Sequence, residues 1–309
     1  MYIKEINYIL KIQQYASISK AAEEIYISQP ALSKFLKNLE QQIGAPLFSR
    51  IGNTLIPTHV GNRYLEYARE IADLQDNWNL ECVDMLGEAR GKFSVTLPPL
   101  RSSCIIPDIL QKFYQRYPQV QVTITEESSL VKKHWLSSKD IDLVIYSDTE
   151  PQLSLIYEDL GKEEVVLIMS PDNPLAEKGI IREDCRHRWL DLELVKDEHF
   201  VLNSPDQATG RLAMQLLETA GITPNVLLQT RNTDVSIRMA AAGTALAFAP
   251  ETYVRNINFE KKPLYFSVGN PKTEITLYVF YQNGRYLPSY VKHFIELARE
   301  VMAAAVVDR

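Results

Sequence analysis

The stretch 15–50, YASISKAAEEIYISQPALSKFLKNLEQQIGAPLFSR, constrains this chain more than any other. Ser19 precedes the small, helix-favouring run 20–24, and Ser28 precedes Gln29, Pro30 and Ala31, so each serine can cap a helix N-terminus. The two helices would then start nine residues apart, with only Ile25, Tyr26 and Ile27 left for a turn. Pro30 is tolerated because backbone donors in a first turn have no intrahelical partner. Ala22, Ile25, Leu32, Leu36, Leu39 and Ile43 recur at helical spacing and form the expected inner face. Gln29, Ser33, Lys34 and Lys37 point outward. Such a pair is a helix-turn-helix, whose second helix enters the DNA major groove. There Gln29 can pair twofold with adenine, Ser33 can reach a base or a phosphate, and Lys34 and Lys37 can neutralise phosphates. The same spacing also fits an ordinary helical hairpin with a solvated charged face.

The run AAEEIYISQPALSKFLKNLE followed by GAPLFSR resembles the DNA-binding domain of the LysR-type transcriptional regulators. In that family a serine, a glutamine and a proline open the recognition helix, a leucine and a glutamate close it, and Leu-Phe-x-Arg begins a wing. Ser28, Gln29, Pro30, Ala31, Leu32, Ser33, Leu39, Glu40, Leu47, Phe48 and Arg50 match that pattern. The resemblance implies a winged helix-turn-helix over residues 1–60. Its expected DNA-binding residues are Ser28, Gln29, Pro30, Ser33, Lys34, Lys37, Arg50 and Thr58, the last two as phosphate contacts or plain surface residues. Phe35 and Asn38 stand where the family usually places polar or basic side chains. Pro57-Thr58 replaces the common Leu-Thr, and Val60-Gly61 the common Ala-Gly, so base preference stays open.

Charge has to be divided to fit this reading. The 309 residues carry a net charge of -6. Residues 1–63 hold seven basic against four acidic side chains, a net +3, which leaves -9 for the rest. Local sign sets attraction to phosphate, and so small a surplus predicts that DNA binding needs at least a dimer. A hydrophobic share of 46% and a charged share of 23% are those of a globular protein. No apolar run reaches membrane-spanning length, and MYIKEINYIL has no secretory pattern, so a cytoplasmic address and no membrane partner are expected. Cys82, Cys104 and Cys185 are odd in number and far apart, which argues against a disulfide frame or a zinc site; some relatives in the resembled family sense peroxide through a cysteine pair, and with no cysteine from Arg186 to residue 309 redox sensing is not expected. No metal or cofactor is expected.

Taken in order, 3–14 reads as a first helix packing Ile6, Ile9 and Leu10, and 47–57 as a wing turning at Gly52 and Asn53. Thr58 can cap a long linker helix over 58–87, ended by Gly87. Tyr64, Tyr67, Ile71, Leu74 and Trp78 step along it by three and four, the seam of a coiled coil. About 28 residues at about 1.5 Å each span about 42 Å. A helix lying on its own core is the alternative, but the resembled family dimerises through such a helix. From residue 91 strands alternate with helices, which implies parallel pairing. One set covers 93–146, including an expected helix over 130–137; a second covers 165–249; then 275–281 and 288–306 return to the first. The expected fold class is therefore α/β, a winged helix-turn-helix and linker helix followed by a two-lobed effector domain over 91–309. Lobe I would hold 91–164 and 271–309, and lobe II 165–270. The resemblance implies likeness to periplasmic binding proteins, with Gly243 and Pro250 matching and Ala245 replacing a family glycine.

Ligands of such sheets bind beyond the carboxyl ends of the strands. Arg101, Ser102, Ser103, Ser128, Ser129, Tyr146, Asn203, Ser204 and Thr233 fall at those ends and are the expected effector-binding residues. Ser102 and Ser103 would open a helix and offer an anion site, with Arg101 forking a carboxylate; the plainer reading makes the serines caps and the arginine solvated. In the resembled family, binding of a small metabolite between lobes reorients the subunits of a tetramer and alters transcription. Expected partners are double-stranded DNA, the small effector, a second copy in a homodimer or homotetramer, and RNA polymerase as a further candidate. The competing class is an enzyme with a two-lobed active-site cleft. No GxSxG, Walker loop, GxGxxG or HExxH occurs, and the adjacent pairs Glu126-Glu127 and Glu163-Glu164 would point to opposite strand faces, so no catalytic residue is expected.

Overall fold

The computed structural model describes residues 3–52, 54–87, 90–127, 141–148, 156–254 and 257–307. The chain divides into two compact units, Met1–Glu88 and Ala89–Arg309.

In the first unit α1 (Ile3–Tyr15), α2 (Ile18–Glu24) and α3 (Gln29–Ile43) precede a hairpin of β1 (Phe48–Ile51) and β2 (Thr54–Pro57), and α4 (His59–Met85) follows. Ser28 caps α3, accepting from the Ala31 N–H. The cap of α2 is Ser17 and not Ser19: a positive φ at Ala16 turns the chain, so Ser17 is the extended residue that accepts from the Lys20 N–H. Ile6, Ile9, Ile12, Ala22, Leu32, Leu36, Leu39, Leu47 and Leu65 form the core. Ile43, expected inside, is exposed, because Gly44 ends α3 in the left-handed region just past it. Phe35 closes the contact between α1 and α3, its ring edge-on to Tyr8 at 5.2 Å.

Two polar contacts fix the hairpin to the helices. The Glu40 carboxylate accepts from the Leu47 N–H at 2.7 Å and the Phe48 N–H at 3.2 Å, tying the end of α3 to the start of the wing. The Thr58 hydroxyl accepts from the Gly61 N–H and donates to the Pro46 carbonyl at 2.7 Å. Gly61 is required there by contact, since a Cβ would stand 1.8 Å from the Leu47 carbonyl oxygen.

The second unit contains β3 (Gly91–Leu97), α5 (Pro99–Arg116), β4 (Val120–Glu126), β5 (Leu143–Asp148), β6 (Ile156–Met169), β7 (Arg188–Trp189) and β8 (His199–Asn203). After them come α6 (Ala208–Thr219), β9 (Asn225–Thr230), α7 (Thr233–Ala241), β10 (Leu246–Pro250), β11 (Leu264–Ser267), β12 (Glu274–Tyr281) and α8 (Ser289–Val307). The helix expected over 130–137, and Ser128 and Ser129, lie outside the described residues. Strand order is β4-β3-β5-β12-β6-β10-β8-β9, with β11 joining β6 to β7. Parallel pairs β3–β4, β3–β5, β8–β9 and β8–β10 make the two halves. Ile105, Ile109, Phe113, Leu143 and Phe294 lie in one core, and Leu167, Phe200, Leu212, Leu217 and Phe248 in the other.

Strand β6 belongs to both halves. Its residues up to Glu164 pair with β12, and from Val165 onward it pairs with β10 and β11. At that crossing Glu163 and Glu164 are 1% and 2% exposed and point to opposite faces. Glu163 takes the Arg101 guanidinium and the Thr252 hydroxyl. Glu164 takes the Ser267 hydroxyl, the Arg186 N–H and Lys272, whose Nζ stands at 3.3 Å. Burial alone would lower the Arg101 pKa, yet the Glu163 carboxylate holds it above its ordinary value.

Two outcomes follow from these contacts. Gly61→Ala forces the start of α4 away from Leu47 and lowers stability by about 3 kcal/mol, measurable by urea unfolding; an unchanged midpoint would contradict the close approach. Glu163→Ala strands a buried guanidinium and costs about 3–5 kcal/mol, whereas Arg101→Met with Glu163→Leu recovers most of that loss.

Candidate functional site

Two surfaces carry the chemistry, one on each unit. On the first, Gln29, Pro30, Lys34 and Lys37 are exposed along α3, and Ser33 is half-buried between them and the core. Ser28 uses its hydroxyl oxygen to accept from the helix, which leaves its O–H proton free to donate outward. Arg50 is exposed on β1, opposite Leu55. Thr58 is a correction: its one hydroxyl proton goes to the Pro46 carbonyl, so the side chain holds the wing against α4 and has no proton for a phosphate.

Along α4 the first turns face the unit's own core through Gly61, Leu65 and Ala68. Tyr64 joins that core as a half-buried side chain, so it leaves the free seam expected of it. Burial raises its phenol pKa. Ile71 is half-buried, while Tyr67, Leu74 and Trp78 are 50%, 67% and 55% exposed.

On the second unit a cavity of about 310 Å³ opens among Pro98, Pro99, Leu100, Tyr146, Ser147, Gln207, Ala208, Thr209, Arg231, Asn232, Thr233 and Tyr253. The topology places it there, because β3, β5, β8 and β9 end at the starts of α5, α6 and α7 or beside them. Three helix N-termini therefore line it. Asn232 caps α7 with its side chain, which accepts from the Asp234 N–H, whereas no side chain caps α5 or α6. The first N–H of α6, from Ala208, donates instead to the Tyr146 hydroxyl at 3.2 Å. Burial pushes the Tyr146 phenol up, opposed by the Arg211 guanidinium, which also reaches Asp148 at 3.1 Å. Burial pushes the Tyr253 phenol up to about 12, partly offset by Arg101 against its ring. Arg231 is the cation of the lining, paired with Asp206 at 2.9 Å.

Of the expected effector residues, Tyr146 and Thr233 line the cavity. Arg101 does not: it is 0% exposed, committed to Glu163 and Thr252, and lies under the Tyr253 ring. Ser102 and Ser103 do not open the helix, which starts at Pro99; Ser102 is buried in its second turn and Ser103 is exposed, bonded to the Pro99 carbonyl. Asn203 sits behind the wall, its amide donating to the Thr233 hydroxyl at 2.8 Å. Ser204 shapes the turn into α6 through its carbonyl, which accepts from the Gln207 N–H. Leu100 and Ser147, which the sequence also places at strand ends, line the cavity too, whereas Gln207, Thr209, Arg231 and Tyr253 were missed. The signal for Arg231 is its place between a strand end and Thr233.

Comparison with known proteins places each unit in a family domain. Residues 3–62 match the family described as bacterial regulatory helix-turn-helix protein, lysR family, and residues 86–303 match the LysR substrate binding domain. The HTH-type transcriptional regulator YcgK of Bacillus subtilis (strain 168) is 27% identical over 97% of this chain and 94% of its own. The transcriptional activator protein LysR of Escherichia coli (strain K12) is 25% identical over 79% of this chain and 76% of its own. Full-length OxyR from Pseudomonas aeruginosa superposes with a TM-score of 0.68 at 18% identity, covering 97% of this chain and 95% of that one. Full-length CbnR in complex with its target DNA does so with a TM-score of 0.53 at 18% identity, covering 97% of this chain and all of the other. With both family domains matched in order along almost its whole length, this chain belongs to the LysR family of DNA-binding transcriptional regulators.

Proposed function

We propose that this regulator is gated by a small anionic metabolite held between the N-termini of α5, α6 and α7. The observation that carries this reading is the cavity lined by three helix starts and one arginine. Each helix start contributes about half a positive charge. Arg231 already answers Asp206, so the surplus potential is that of the helix ends and suits one carboxylate or phosphate rather than a polyanion. Pro98, Pro99, Leu100 and Ala208 offer an apolar wall for the rest of the molecule. A volume of about 310 Å³ lies at the small end of ligand pockets. Thr233 and Arg231 bind the anionic group, and Tyr146 closes the side towards α6.

On DNA, Gln29 and Ser33 read base edges, Pro30 packs against them, and Ser28, Lys34, Lys37 and Arg50 hold phosphates. The protein works as a homodimer or homotetramer joined along α4 through Tyr67, Ile71, Leu74 and Trp78, in the cytoplasm, where RNA polymerase is the partner of its output. Among the described residues no helix is long and apolar enough to cross a membrane.

Footprinting on genomic fragments, including the gene's own upstream region, tests this with a panel of small monocarboxylates and phosphomonoesters. A paired, inverted site whose protection shifts with one of them is the expected result; protection indifferent to every anion would overturn the gating. With an active anion found, Arg231→Gln and Thr233→Val each weaken its binding about tenfold, the value of one charge-assisted hydrogen bond, and leave DNA affinity without it unchanged. Unaltered anion affinity in both variants would remove the α7 start from the site.

A further inference from the structure

We infer that Tyr26, in the turn between α2 and α3, is a DNA contact: its phenol donates a hydrogen bond to a backbone phosphate at the edge of the groove that α3 enters. This rests on the reading of α3 as the recognition helix. Tyr26 is 96% exposed, and among the described residues no hydrogen bond, ion pair or ring contact reaches its side chain. Its φ is +54°, the left-handed region that a bulky side chain seldom adopts.

The backbone explains why some residue must take that conformation. The Ile27 N–H bonds the Ala22 carbonyl and the Tyr26 N–H bonds the Glu23 carbonyl, the paired bonds with which a helix closes through one left-handed residue. Glycine fills that position at no steric cost. Ile25 and Ile27, on either side, are half-buried and pack against the core, so they hold the turn in place. Tyr26 therefore bears conformational strain and gains no packing in return. A side chain kept in that situation points to a use outside the unit.

The position names the use. Tyr26 lies two residues before the Ser28 cap, ahead of the helix end that meets the bases, and so beside a strand bordering the groove. A phenol there is a neutral donor of the kind that contacts phosphate oxygen, and it positions the unit without reading sequence.

The test compares the full-length parent with Tyr26→Phe and Tyr26→Gly on the protein's footprinted site and on unrelated DNA, across salt concentrations. Tyr26→Phe is expected to lose about tenfold in affinity per DNA-binding unit, the worth of one hydrogen bond to a charged acceptor, and the square of that where two units engage one site. The loss is the same on specific and unrelated DNA, and the salt slope is unchanged because no charge is removed. Tyr26→Gly loses at least as much while its melting temperature stays at or above the parent's. Parental affinity in Tyr26→Phe overturns the phosphate bond. A Tyr26→Gly protein that binds weakly and also melts lower overturns it too, since the role is then structural. If Gln29→Ala still abolishes site selectivity, only the Tyr26 contact has failed; if the parent itself protects no site, the recognition-helix reading falls with it.

Discussion

The cost of burying two neighbouring carboxylates governs the second unit. Strand β6 must pass from one half to the other, and at the crossing it carries Glu163 and Glu164, both nearly inaccessible to water. A desolvated carboxylate without a cation or donors would not be tolerated there. Each is therefore answered from its own face, Glu163 by Arg101 of α5 and Thr252 after β10, Glu164 by Ser267 of β11, the Arg186 backbone and Lys272. Groups from four stretches of chain, around residues 101, 186, 252 and 267–272, converge on two adjacent residues. Glu251, nearby, repeats the device: burial alone would push its carboxyl up, but His187, the Glu164 N–H and Arg186 hold it below its ordinary value.

This polar junction also shapes the cavity. Arg101, spent on Glu163, cannot serve a ligand, but its guanidinium lies 4.4 Å from the Tyr253 ring, and its Nη2 is 3.4 Å from the Ser147 hydroxyl. Both of those residues line the cavity. A fixed charge pair thus backs the wall, while helix starts and hydroxyls face the cavity. The first unit solves a smaller version of the same problem. Glu40, at the end of α3, spends its carboxylate on two backbone donors of the wing, which explains why an acidic residue belongs at the end of a helix that approaches phosphate.

Most of the architecture was legible because period and punctuation agree. Strands such as 199–203, 225–230 and 246–250 are short apolar runs, and the helices between them end near Gly221 and Gly243, the second of them starting at the Asn232 cap. Strand β6 was read from residue 165 only, since IYEDLGKEE is acidic and interrupted by Gly161, and its pairing with β12 depends on a strand more than a hundred residues away. Strands β7 and β11 are too short for any period to show. The cavity was legible as a place, the carboxyl ends of the strands, but not residue by residue. Arg101 sits at such an end and looks like a ligand in sequence, and only the position of Glu163 in three dimensions removes it. Helix α5 begins at Pro99 without a side-chain cap, whereas Ser102 and Ser103, the residues of capping type, lie inside it. At Tyr26 the sequence shows a hydrophobic triplet, and nothing in that triplet reveals that the middle residue turns left-handed and outward.

The long helix α4 shows what the first unit leaves unfinished. Its opening turns are held by Leu65 and Ala68 in the core, by the Thr58 cap and by Arg69, which donates to Gln13 of α1 at 2.8 Å. Beyond Ala68, Leu74, Trp78 and Met85 remain more than half exposed on a helix of 27 residues. Isolated helices of about 12–15 residues are marginal in water, and most helical stability comes from packing an apolar face. The far half of α4 has such a face and, among the described residues, no cover for it within its own unit. Apolar side chains spaced by three and four, with Tyr67 steadied by the Arg63 guanidinium at 4.8 Å, have the spacing that the dimer proposed above requires of this helix. The modest positive charge of residues 1–63 asks for the same thing, because doubling the unit doubles the phosphate contacts without adding a single lysine.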